Sequence, residues 1–170
     1  MFRYFAYGSV LSLAHAREWC ASHGMDVTPF LEGRPARLQG FRLVFDVQSR
    51  FWAGLVADLV PDATASVEGV VFTLPEEARE AVLRKEGVAT GLYTEHVETV
   101  EVDGEKVAAS VFSAEPHRRT AEGPASWRYA QAIVDGARER GLSADWQASV
   151  ALIERDSGRP PPPGVTLGRR

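Results

Sequence analysis

The chain opens on an apolar segment, Tyr4-Phe5-Ala6-Tyr7, that breaks at Gly8-Ser9 and passes into Leu11-Ser12-Leu13-Ala14, the start of a helical pattern. Aromatic and small residues in this order predict a half-buried strand. The glycine predicts a tight turn with an unshielded amide, and residues 13–22 predict a helix closed by Gly24. A strand, a glycine-bearing turn and a helix N-terminus form a place where backbone N–H groups and the helix dipole can meet an anion, although the same pattern also describes a plain strand-to-helix connection.

Further along, residues 36–45 alternate in part through Leu38, Phe41, Leu43 and Phe45, which predicts a strand with Gly40 at a bulge. Residues 51–60 and 66–74 predict two more strands separated by a Pro61-Asp62-Ala63-Thr64 turn. Pro75 suits the first position of a helix, Glu76 and Glu77 suit its positive end, and the helix should reach Lys85 and stop at Gly87. Asp103-Gly104 between residues 93–102 and 106–114 predicts a two-residue hairpin. A polar loop, 118–123, leads to a helix capped by Ser126, with Trp127, Ala130, Ile133, Val134 and Ala137 on its buried side and Gly141 closing it. A last helix, capped by Ser143, buries Trp146, Val150 and Ile153, and the Pro-rich residues 158–170 predict an extended polyproline tail.

Strands first and helices last, with no crossover pattern, argue against a doubly wound parallel sheet. They favour an α+β fold: a mixed or antiparallel sheet, curled into a barrel, with helices outside. The 170 residues fit one domain, residues 1–157, followed by the tail. An apolar share of 45% provides a core, and a net charge of −4 offers no basic field for nucleic acid. Cys20 is the only cysteine, which fits a reducing compartment, and no apolar run predicts a membrane span or signal peptide. The expectation is a cytoplasmic protein.

Glu86 is the acid that stands out. At the end of the helix ending in Lys85 its carboxylate meets the negative pole of the dipole, and in an apolar setting it would make a proton shuttle; the alternative is a surface glutamate neutralised by Arg84 or Lys85. Other chemistry is weaker. Cys20 with His15 or His23 forms no dyad by spacing, and His15, His23, His96 and His117 lack zinc-ligand spacing, so no metal is expected. Ser9 lies outside a Gly-x-Ser-x-Gly elbow.

These segments carry a resemblance. Tyr4-Phe5-Ala6-Tyr7-Gly8-Ser9-Val10-Leu11 resembles the Tyr-Phe-Ala-Tyr-Gly-Ser-Asn-Leu signature of the γ-glutamylcyclotransferases. Ala36 to Phe41, Val67 to Phe72, Glu86-Gly87-Val88 with Gly91-Leu92-Tyr93, Ser126-Trp127-Arg128-Tyr129 and Gly141-Leu142 follow in that family's order. The resemblance implies a small mixed, mainly antiparallel β-barrel with flanking helices. It implies a γ-glutamyl substrate whose α-amine attacks its own γ-carbonyl, releasing 5-oxoproline, with no cofactor. It implies Glu86 as general acid and base, and substrate contacts from Tyr4, Phe5, Ala6, Tyr7, Gly8, Ser9, Val10, Tyr93 and Tyr129. The family's asparagine is Val10 here, a departure that leaves a non-catalytic ligand-binding domain as the alternative. A deprotecting cyclotransferase of a biosynthetic pathway is open as well, and so is a homodimer.

Overall fold

A computed structural model describes residues 1–158. Five strands close into a barrel in the order β1-β3-β2-β4-β5: β1 is Phe2–Ala6, β2 Arg34–Ser49, β3 Gly54–Leu74, β4 Tyr93–Val102 and β5 Glu105–Ala114. Every pairing is antiparallel except the seam, where β1 meets β5 in parallel at Tyr4 and Ser110. The α+β barrel expected from the sequence is therefore present, and closure leaves the sheet without a free edge.

The helices lie outside it: α1 is Leu13–His23, α2 Thr28–Leu31, α3 Arg79–Lys85, α4 Trp127–Glu139 and α5 Ala144–Ala151. The short α2 carried no sequence signal. Phe5, Phe72, Phe112, Leu38, Leu59 and Ile133 are wholly buried in the core. The Asp103-Gly104 hairpin has positive φ at both residues, 51° and 81°, the geometry that matches strand twist.

The Pro61-Asp62-Ala63-Thr64 turn is not a turn. β3 runs through it as one strand, and β2 and β3 form a single long hairpin. Gln39 pairs with Ser66 and Phe41 with Pro61, so residues 62–65 bow out opposite Gly40, whose φ is 81°. Proline fits there because the ladder is already interrupted. Two other assignments change. Pro75 precedes a 3₁₀ turn, Glu76–Ala78, that leads into α3, so it stands just outside the helix. Ser126 starts α4 without capping it: its hydroxyl donates to the Trp52 carbonyl (2.6 Å), while Asp156 Oδ1 accepts from the Trp127 amide (3.1 Å). Trp127 is half-buried under the Arg155 guanidinium and lies outside the core. Ser143 does cap α5, accepting from the Trp146 amide (3.1 Å). Of the tail expected from residue 158 onward, all but Gly158 lies outside the described residues.

Candidate functional site

β1 delivers the chain to the mouth of the barrel, where Gly8 leads into a 3₁₀ turn, Ser9–Leu11, and Ser12 then caps α1 by accepting from the His15 amide (3.3 Å). Two contacts fix this turn from behind. Gly136 of α4 packs so closely that a Cβ there would lie 2.4 Å from Leu11 Cβ. Arg140, 8% exposed, donates from Nε to the Leu11 carbonyl (2.9 Å) and from its Nη atoms to Leu31 O (3.3 Å) and Val10 O (3.5 Å). A buried cation whose hydrogen bonds go to carbonyls ties down the backbone that carries them. Arg140 carries no local signal, because its partners lie more than a hundred residues away.

Beneath the turn is a cavity of about 480 Å³, within the usual range for a small-molecule site. All four tyrosines of the chain line it: Tyr4, Tyr7, Tyr93 and Tyr129. Tyr7 donates to the Phe112 carbonyl and Tyr93 to the Ala57 carbonyl, both at 2.6 Å. Burial, above all, raises the phenol pKa of each of the four, so near neutrality they are neutral hydroxyls. For Tyr4 and Tyr129 the neighbouring Glu86 charge adds to the effect.

Glu86 is the one carboxylic residue among the described residues that lines the cavity. It is the C-cap of α3, and Gly87 follows at φ 66° to turn the chain away. Its Oε1 accepts from Tyr4 Oη (2.7 Å) and from Lys85 Nζ (3.0 Å). The Lys85 pair weighed from the sequence therefore exists, but on a cavity wall, with both side chains about 15% exposed, while Arg84 pairs with Glu80 at the surface. Glu68 and Glu95 are committed elsewhere. Glu68 binds Arg37 and the Ser143 end of α5, and Glu95 binds Arg79 and Ser110.

Gly8, Ser9 and Val10 line the cavity beside Tyr129. Phe5 and Ala6 do not. Alternation along β1 turns Phe5 into the core, and the Ala6 carbonyl packs against Gly69, where a Cβ would sit 2.2 Å away. The substrate contacts that the resemblance implies for Phe5 and Ala6 do not match this placement. Cys20 is buried off the cavity, with its thiol pKa raised chiefly by burial.

Much of the lining was not expected from the sequence. His15, Trp19 and His23 stand at i, i+4 and i+8 on α1 and share the wall. Burial, then Lys85 and Arg128, push His15 down to about 4, so its imidazole is neutral. Opposite them the β2–β3 tip contributes Phe51 and Trp52. The helical spacing on α1 was readable; the approach of the tip was not. Among the described residues no group of three His, Cys, Asp or Glu side chains is placed to hold a metal, and no helix is long and apolar enough to cross a membrane.

Comparison with known proteins agrees with this fold. The chain is 29% identical over 160 residues to γ-glutamylcyclotransferase of Bos taurus and 28% to that of Homo sapiens, covering 90% of this chain and 79% of each relative. A solved γ-glutamyl cyclotransferase shares the fold at a TM-score of 0.80 and 24% identity, over 94% of this chain and 92% of that one. An uncharacterised human protein matches at 0.79 and 26% identity over the same shares. The model of the AIG2-like family matches residues 66–150, from β3 through Glu86 and Tyr129 into α5. The chain belongs to the AIG2-like family and has the γ-glutamylcyclotransferase-like fold.

Proposed function

We propose that this protein is a γ-glutamyl cyclotransferase, with Glu86 as its general acid and base. The observation that carries the reading is Glu86 itself: a single carboxylic residue on the wall of a phenol-lined cavity, anchored by Tyr4 and Lys85 through one oxygen. Cyclisation suits such a site. The substrate's α-amine attacks its own γ-carbonyl carbon, the new C–N bond closes a five-membered lactam, and the bond to the acylated amine breaks. One proton must leave the attacking nitrogen and one must reach the departing nitrogen, and a single carboxylate can carry out both transfers. The nucleophile belongs to the substrate, so the protein's task is to fold the γ-glutamyl group back on itself; holding that geometry is worth several kcal/mol.

The neutral Tyr129 hydroxyl, the one phenol of the four that does not donate to a protein acceptor, and the Gly8–Val10 backbone are the donors open to an oxyanion on the attacked carbonyl. Val10, the departure from the family signature, is 1% exposed with its carbonyl toward Arg140. That position supports a bracing role in the turn, which a valine can fill.

The test is direct. Purified protein incubated with γ-glutamyl dipeptides and γ-glutamylamines should release 5-oxoproline with the free amine in equal amounts. Saturable binding of such compounds without product would support the ligand-binding alternative and defeat the proposal.

A further inference from the structure

The cavity has two unlike ends. Around Glu86 it is built of phenols, whereas its outer wall is aromatic and cationic. On one side α1 presents His15, Trp19 and His23. On the other, the β2–β3 tip presents Phe51 and Trp52, with Ala53 at φ 53° making the bend. The Trp52 ring is the centre of this wall. His15 lies 5.0 Å from its centroid, Tyr129 5.1 Å and Phe51 5.2 Å, the last two edge-on, and the Arg128 guanidinium lies 5.4 Å over its face. Phe51 remains 59% exposed beside it, and together they give an aromatic ligand one more edge or face to meet.

The charges point the same way. Lys85 and Glu86 pair and cancel, which leaves Arg50 as the uncompensated charge of the lining, with Arg128 covering Trp52. An anionic group at the outer end would be drawn in.

Resting on the γ-glutamyl reading, we propose that this outer wall is the leaving-group subsite and that the amine it releases is an aromatic α-amino acid. Its ring would pack against Trp52 and Phe51 and its carboxylate would face Arg50. In the reaction the amide C–N bond to that amino acid breaks, its nitrogen takes the proton carried by Glu86, and the γ-carbonyl carbon ends bonded to the substrate's own α-nitrogen.

Two measurements on the same compounds keep this inference apart from the activity on which it rests. Calorimetric titration of the Glu86→Gln variant with γ-glutamylphenylalanine, γ-glutamylalanine and γ-glutamylphenethylamine reads binding without turnover, and 5-oxoproline release from the same three by the wild type reads activity. The phenylalanine dipeptide should bind at least about tenfold tighter than the alanine dipeptide, the scale of burying one aromatic side chain. The phenethylamine compound, lacking the carboxylate, should bind more weakly than the phenylalanine dipeptide, and Arg50→Ala should remove that difference. Phe51→Ala, at an exposed tip position, and Trp52→Leu should each shrink the preference for the ring. Equal binding of the two dipeptides, or binding of none, overturns the subsite, whatever the activity. A clear aromatic preference in binding with no 5-oxoproline from any compound keeps the subsite and defeats the cyclotransferase reading instead.

Discussion

The phenol oxygen of Tyr129 fills the space that a side chain at residue 8 would need: a Cβ built on Gly8 would lie 2.3 Å from it. The backbone at Gly8 has φ −105°, so close approach, and not a left-handed turn, is what requires glycine there. A tyrosine 121 residues away in the chain thereby locks the turn against α4.

Gly8→Ala should therefore displace Tyr129 and cost about 1–3 kcal/mol, the usual range for overpacking a tight site. Activity should fall with it. Tyr129→Phe removes the clashing oxygen, so the double variant should be more stable than the two single losses added together. Urea unfolding of the four proteins measures the coupling, and simple additivity would place the strain elsewhere.

Arg140 is the second clamp on the same turn. Arg140→Met keeps much of the packing over Phe72 but strands three carbonyls. Loss of charged hydrogen bonds at a buried site should cost about 2–4 kcal/mol. A shifted turn should also raise KM more than it lowers kcat, because the clamp acts on position and not on proton transfer. Stability and both kinetic constants, measured together, decide it.

Local chemistry wrote the turn, the Asp103-Gly104 hairpin and the position of Glu86 plainly into the sequence, because each depends on residues within a few positions of one another. What failed depended on distance. The Pro61-Asp62-Ala63-Thr64 signal is that of a turn, and only the partner strand, still paired on both sides of Gly40, makes it a bulge. Ser126 has the chemistry of a cap, yet Asp156 arrives from beyond α5 to take the amide. Half of the cavity wall was hidden for the same reason. Nothing in Phe51-Trp52 announces that the tip of a long hairpin will come to rest against His15 and Tyr129.

Asp46 makes a pH prediction. It sits at a second bulge of β2, between Phe45 and Val47, with its side chain buried and Oδ1 lacking a hydrogen-bond partner among the described residues. Burial first, then the nearby Asp58 charge, raises it to about 6 from an ordinary value of 3.8, against a partial pull from Arg119. An acid whose pKa is higher folded than unfolded is protonated in both states at low pH and ionises more easily in the unfolded chain. Stability is therefore lost as pH rises from about 4 to 6 and stays lower above that. Asp46→Asn mimics the protonated form. The variant and wild type should melt alike near pH 4, with the variant more stable at pH 8. A difference that does not grow over this interval would remove Asp46 from the pH response.

Glu86→Gln tests the proposed chemistry at its centre. The amide keeps the shape of the side chain and can still accept from Tyr4, but it cannot carry a proton near neutrality. Turnover should fall by roughly 10²–10⁴-fold, the usual worth of general acid–base catalysis. Substrate binding, measured by titration, should stay within a few-fold. Tyr4→Phe separates holding from proton transfer. It removes the 2.7 Å bond that fixes the carboxylate while leaving the carboxylate itself, so its loss in turnover should be the smaller of the two. Combined with Glu86→Gln it should add little, because a bond that orients a base has nothing left to orient. Glu76→Gln and Glu77→Gln, in the 3₁₀ turn before α3 and off the cavity, should leave turnover nearly intact. A Glu86→Gln protein that folds, binds and still turns over at the wild-type rate would mean that the proton travels by another group.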